Sequence, residues 1–273
     1  MRSMLYLIFL LPVLGYSQPN CNVFLWEGDT LKYKACQFAE EHARDYYQFD
    51  MRQVKLWEEA IAICPRFAFP YREIAAPYVK SGNFIEWKKY IDKAVELAPM
   101  DYLSVRASLR YKFFADYQGT LADIALLEEL MQGNDIGPTS NGTYHLNTVK
   151  GLCLKALGEP EQAIEVMERQ LNKENHFISV YDYLHLGVLY LEEGAADKAI
   201  ELLLKQEAEN DLAENRYYIA LAYQQLNKEE AYRENIQKAL DLYQAGDRMK
   251  DSYNELFDQI YLTDIEREME RIK

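Results

Sequence analysis

Small and apolar residues return along this chain every 33 to 36 positions. Gly151, Leu154, Gly158 and Ala163 reappear as Gly187, Tyr190, Gly194 and Ala199 at a constant offset of 36, and Ala60 and Pro65 reappear as Ala94 and Pro99 at an offset of 34. Periods of this length are the signature of one helix-turn-helix unit stacked on the next. Registers starting at Lys34, Ala68, Asp101, Tyr144, Val180 and Ala213 align six units. From the second unit onward the eighth position is Ala75, Ser108, Gly151, Gly187 and Ala220, and the eleventh is Tyr78, Tyr111, Leu154, Tyr190 and Tyr223. The fifteenth is Gly82, Ala115, Gly158, Gly194 and Asn227, and the twenty-fourth is Ile91, Ile124, Met167, Leu203 and Ile236.

Each column has a physical reason. A small side chain at the eighth position lets the first helix of a unit approach its partner closely, and Ala163 and Ala199 do the same from the second helix. Gly82, Gly158, Gly194 and Asn227 suit the left-handed residue that ends the first helix. A tyrosine at the eleventh position buries its ring between helices and keeps its hydroxyl at a polar edge, which accounts for four of the 22 tyrosines before any function is invoked.

These columns resemble the tetratricopeptide repeat family over roughly residues 34 to 245. The resemblance implies an all-α fold, a right-handed superhelical solenoid of helix-turn-helix repeats with capping helices. The units would be 34–67, 68–100, 101–134, 144–179, 180–212 and 213–245, after an N-terminal segment over 18–33 and before capping helices within 246–273. Trp87 and Tyr232 stand where the family has alanine, Lys150 falls on an apolar column, and Glu41 and Arg44 depart from the pattern in the first unit, which reads as an N-terminal cap. The run Gly133 to Gly142 is dense in turn formers, a connector or a loop at one edge of the groove. A helix is expected over Asp247 to Ile260. Thr263 and Glu266 then form a capping box for a last helix whose Ile265, Met269 and Ile272 share one face and cover the open end of the stack.

Composition places the chain in a compartment and removes some functions. Met1-Arg2-Ser3 precedes an almost wholly apolar Met4–Leu14, and Gly15-Tyr16-Ser17 puts small residues before a cut ahead of Gln18, so 1–17 reads as a secretory signal peptide. The apolar run is about half the ~20 residues a membrane helix needs, and no second run follows, so no membrane span is expected. The expected location is the periplasm or the outside of a bacterial cell. Gln18-Pro19-Asn20 before Cys21 is wrong for a lipid anchor, which wants small or aliphatic residues there. Of the 4 cysteines, Cys21 and Cys36 close the shortest loop and are the expected disulfide, while Cys64 and Cys153 sit in apolar helical stretches as small hydrophobes. A net charge of −14 without a basic patch argues against nucleic acid as a partner. Asn141-Gly142-Thr143 matches a glycosylation acceptor, which matters only in a eukaryotic secretory host.

Catalytic and metal-binding motifs are absent from the sequence: no His-Glu-x-x-His, no Cys-x-x-Cys, no glycine-rich phosphate loop and no Gly-x-Ser-x-Gly. No enzyme activity, cofactor or metal is expected, although His145 and His185 fall at repeat positions that face the groove. The resemblance implies binding of extended peptides or helices on the side lined by first helices. Carried over position by position, the groove residues are Phe69, Arg72 and Lys80 in the second unit, Tyr102, Lys112 and Phe113 in the third, His145 and Lys155 in the fourth, Tyr181 in the fifth, and Tyr217 and Gln224 in the sixth. The ninth position is Ala76, Leu109, Leu152, Val188 and Leu221, so the asparagines with which chaperone-binding members clamp a terminal carboxylate are missing. Aromatics with scattered cations suit a peptide segment, and basic groove residues in an acidic molecule would attract acidic ones. The expected role is an interaction or assembly module with another protein as its partner. The alternative is an accessory protein that stacks glycans or small ligands on its tyrosines.

Overall fold

The structure, a computed structural model, describes residues 19–43, 45–174 and 177–272. The expected signal peptide lies outside them. The described residues form fourteen α-helices, no strand, and one isolated bridge between Pro138 and His145.

Side-chain caps define several helix starts. Asn20, Asp29, Asp50, Asn83 and Asp116 each accept a hydrogen bond from a backbone N–H in the first turn of the following helix. The helices in order are α1 (Cys21–Trp26), α2 (Thr30–His42), α3 (Met51–Ile63), α4 (Ala68–Lys80), α5 (Phe84–Leu97), α6 (Pro99–Leu109), α7 (Tyr117–Met131), α8 (Leu146–Ala156), α9 (Pro160–Leu171), α10 (Asp182–Glu192), α11 (Ala196–Glu209), α12 (Ala213–Gln225), α13 (Glu229–Ala245) and α14 (Leu262–Arg271). A π turn, Arg110–Phe114, extends α6.

The chain divides into two compact units between Ile74 and Ala75, inside α4. Pro77 lies within that helix and has no N–H to offer the carbonyl of Glu73. In the first unit the Cys21–Cys36 disulfide ties α1 to α2, as the spacing leads one to expect. Cys64 and Phe67 pack around it, with the ring of Phe24 edge-on to Phe67 at 5.4 Å. The helix of the first repeat begins at Thr30, four residues ahead of the expected register at Lys34.

In the second unit the small-residue columns are helix contacts. A Cβ on Gly151 would lie 2.5 Å from Met167 Cγ, and one on Gly187 would lie 2.8 Å from Leu203 Cγ, so α8 meets α9 and α10 meets α11 where only glycine fits. Ala163 and Ala199 supply the backbone carbonyls at the same two contacts. Left-handed residues end the first helix of five successive hairpins: Gly82 (φ 74°), Ala115 (48°), Gly158 (79°), Gly194 (78°) and Asn227 (56°). Three of the departures from the repeat pattern are accommodated by burial or pairing, while Arg44 lies outside the described residues. Trp87 and Tyr232 are buried, Tyr232 donates to Glu268 of α14 at 2.7 Å, and Lys150 pairs with Glu128 at 2.8 Å. Arg106 of α6 donates to Asp92 of α5 at 2.8 Å and to Asp123 of α7 at 2.6 and 3.0 Å, joining three helices. The turn-rich connector is fastened: Ser140 N–H donates to Ser108, and Asn141 accepts from Thr139 and from the Thr143 N–H.

Two outcomes follow. Gly187→Val should destabilise the chain by about 1–3 kcal/mol in urea unfolding, because Leu203 must leave its rotamer; unchanged stability would mean that the pair spacing is not set there. Reducing the disulfide, whose cysteines are 15 residues apart, should cost about 3 kcal/mol, read as a lower unfolding midpoint in dithiothreitol.

Candidate binding face

The first helices of the second unit, with the π turn, present one face to a segment of the same chain. Residues 247–261 leave α13 at Gly246 (φ 87°) and reach α14 without forming a helix. The helix expected over Asp247 to Ile260 is therefore absent, and the final capping box begins earlier, with Asp264 accepting from the Tyr261 N–H at 2.9 Å rather than using Thr263 and Glu266.

Contacts along this segment run from helix to helix. The Met249 N–H donates to Glu214 of α12 at 3.0 Å. Lys112 of the π turn donates to Asp251 at 2.5 Å, and the rings of Phe113 and Tyr253 are 5.9 Å apart. Phe257 stacks on Tyr111 at 6.0 Å and 13° and meets the edge of Tyr117. Ile260 is buried with Tyr217 of α12 and Ile265 of α14. Three successive residues, Tyr111, Lys112 and Phe113, all touch the segment. The wider π turn spreads consecutive side chains over a smaller arc than an α turn does, and so brings them to one side.

Asp258 is the centre of the arrangement. Its carboxylate accepts from Lys155 of α8 at 2.6 Å and from His185 Nδ1 of α10 at 2.7 Å, and Lys155 also pairs with Glu192 at 2.9 Å. His185 Nε2 lies 3.1 Å from the Tyr144 hydroxyl, within hydrogen-bond distance. Burial raises the Asp258 carboxyl, but the hydrogen bond and charge of His185 and the charge of Lys155 outweigh it and hold it below its ordinary range. Burial likewise lowers Lys155, and Asp258 with Glu192 reverse that and raise it. Asp258 has φ 60°, a left-handed backbone that aspartate tolerates better than most residues but not without strain.

A tyrosine, a histidine and an aspartate in line have the composition of a proton relay. Here their side chains are 3%, 0% and 5% exposed and bonded to one another, so no face of the relay meets a substrate and the chain of bonds holds the segment in place. Among the described residues no group of three His, Cys, Asp or Glu side chains is placed to hold a metal ion. Burial pushes the Cys153 thiol up to about 12, consistent with a packed and unreactive side chain.

The expected groove residues fall into four sets. Lys112, Phe113 and Lys155 lie on the face and are engaged by the segment, and Tyr181 lies beside them, its ring 6.3 Å from that of His185. Tyr102 is half-buried in the core between α6 and α8, while Lys80 and Gln224 are exposed. Tyr217 is 9% exposed and packs against Tyr218 and the cap, so it is core rather than groove. His145 is also corrected: it is fully buried and caps α8, with Nδ1 accepting from the Asn147 N–H at 3.0 Å and Nε2 against Asp135 at 3.2 Å. Burial lowers its pKa, and Asp135 partly opposes this. Phe69 and Arg72 belong to the first unit, where Phe69 meets the edge of Trp57 at 5.7 Å and Arg72 pairs with Glu73. Asp251, Phe257 and Asp258 escaped the sequence reading. The one signal was Asp251-Ser252-Tyr253-Asn254, turn formers within the expected helix.

Helical hairpins of this length, with these close contacts and left-handed turns, define an all-α repeat fold of the tetratricopeptide type. No family model matches the chain, and no curated protein matches it in sequence. Solved structures do. The chain is similar to PilW, described as a widely conserved type IV pilus biogenesis factor, at 14% identity and a TM-score of 0.58 over 78% of this chain and 94% of that one. It is similar to PilF of Pseudomonas aeruginosa at 13% identity and a TM-score of 0.57, over 79% of this chain and 93% of that one. BtubC from P. vanneervenii gives 16% identity and a TM-score of 0.54, over 85% of this chain and 98% of that one.

Asp258→Asn should lower stability by about 3–5 kcal/mol, because the buried Lys155 keeps only the half-exposed Glu192 as counter-charge and His185 Nδ1 loses its carboxylate partner. The folded carboxyl titrates below the free value of 3.8, so its contribution is complete above about pH 5 and is lost as pH falls through the lowered value. Urea unfolding at neutral and acid pH should show wild type losing more stability than the variant; equal losses would remove Asp258 as the source.

Proposed function

We propose that the chain is an exported protein-protein interaction and assembly module of a bacterial envelope, and that it receives an extended segment of another protein on the face of its first helices. The observation that carries this reading is that this face already seats a non-helical stretch of polypeptide, residues 247–261, through lysine-carboxylate pairs and ring stacking. That is the chemistry by which a repeat groove holds a peptide. Export is supported by the Met1–Ser17 signal pattern and by the disulfide, which persists in oxidising compartments. PilW, a type IV pilus biogenesis factor, gives assembly as a precedent for a protein of this fold. Stacking of a glycan on tyrosines has less support, since Tyr144, Tyr217 and Tyr232 are buried.

The test has two arms. Residues 1–33 fused to a phosphatase that is active only after export should give activity, and an inactive fusion overturns the exported reading. A photo-crosslinking residue at Gln224, exposed on the first-helix side, should trap a protein in the native host, whereas one at Leu204, 46% exposed on the second helix α11, should not. Adducts at both positions or at neither would contradict a module that works through this face.

A further inference from the structure

We infer that residues 247–261 are a displaceable internal occupant of this face, and that the partner presents an extended acidic-aromatic segment that replaces them. The inference rests on the binding reading above and gives it a ligand chemistry.

The segment has a ligand's attributes. It has no helix or strand of its own, and its local hydrogen bonds, among them Tyr253 N–H to Asp251, Asn254 Nδ2 to the Glu255 carbonyl, Leu256 N–H to the Gln259 side chain and Gln259 N–H to the Leu256 carbonyl, build no helical turn. The rest of its hold reaches the first helices, through side chains and through two backbone groups at its start: the Asp247 carbonyl accepts from the Ala213 N–H at 2.9 Å and the Met249 N–H donates to Glu214 at 3.0 Å. Met249 and Ile260 are buried at its two ends, while Ser252, Tyr253 and Glu255 between them are exposed. Such a stretch opens at lower free energy than the helices beneath it, because opening it breaks no helical ladder. The left-handed Asp258 adds strain that release would relieve. The flanking helices also have holds of their own: α13 has its left-handed cap at Gly246, and α14, although capped by Tyr261 and packed against Ile260 at the segment's end, is tied to α13 by Tyr232–Glu268.

The occupant also describes its replacement. Lys112 takes a carboxylate, Phe113 the aromatic two residues later, Tyr111 and Tyr117 an aromatic four residues beyond that, and Lys155 with His185 the carboxylate that follows it. Read as a pattern, this is Asp-x-aromatic-x-x-x-aromatic-Asp. In a chain of net charge −14 these lysines are a local attraction for acidic segments, and Asp251 and Asp258 mask them until a competitor arrives. The tethered segment competes at high effective concentration, so a partner binds weakly until it is displaced.

A labelled peptide of residues 249–261 tests this by fluorescence anisotropy with the full-length chain. The receptors are wild type, Asp251→Lys, and Asp251→Lys combined with Phe257→Ala. Circular dichroism and cooperative unfolding report that each is folded, and Asp251→Lys alone, at a pair near the surface, guards against loss of the double variant. The peptide should bind the opened variants about ten-fold or more tighter than wild type, since the competent state is no longer masked, and a scrambled peptide should not. Equal binding to wild type and variants overturns the displaceable occupant while leaving a peptide-binding face. Binding to none of the folded receptors overturns the face itself. Concentration-dependent dimers of the opened variants would make the occupant a second copy of this chain and overturn a partner of another kind.

Discussion

The approach of paired helices at Gly151 and Gly187 is the constraint on which the rest of the second unit depends. Met167 and Leu203 fill the space that a Cβ would take, so α8 and α10 each lie close against the second helix of their own hairpin. Two hairpins built the same way, 36 residues apart, present their first helices in the same orientation. Lys155 and His185 then reach one carboxylate from two different helices. The contact is non-polar and local, yet it decides where the charged groups stand.

The face so formed holds charge in a nearly closed environment. Asp258 with Lys155, His185 and Glu192 is a small network in which each buried charge has an opposite partner, the condition under which burial of charge is tolerated. Such networks add specificity more reliably than stability. Here the specificity concerns which stretch of polypeptide lies across α8 and α10, since a residue at 258 without a carboxylate would leave Lys155 with only the half-exposed Glu192 and His185 Nδ1 without its partner. The π turn at Arg110–Phe114 does comparable work at the other end by bringing three consecutive side chains to the segment.

Much of the fold was legible because the repeat columns are sterically determined. Glycine at 151 and 187, a left-handed residue at 82, 158, 194 and 227, and the Cys21–Cys36 pairing each follow from local geometry that the sequence states directly. The binding face was only partly legible. Lys112, Phe113 and Lys155 were placed by position within the repeat, but what they touch was hidden, because Leu256, Phe257 and Ile260 have a spacing that suits a helix face as well as an extended stretch. Their conformation is decided by contacts with residues up to 139 positions away, as between Lys112 and Asp251. His145 shows the reverse error. Its repeat position suggested the groove, whereas an imidazole just ahead of α8 is better placed to accept a backbone N–H at the helix start, and it does.

The central claim is that the segment over 247–261 is seated on the first helices but opens independently of them. Hydrogen exchange of the full chain, resolved to single amides, measures this directly at Met249, Leu256 and Gln259 against those of α8 and α10. The account predicts protection at these three that is clearly above that of a free peptide and clearly below that of the two helices. Exchange of the segment and the helices in one cooperative step would make it part of the core, and exchange at the free-peptide rate would mean that it is not seated at all; either result contradicts the account.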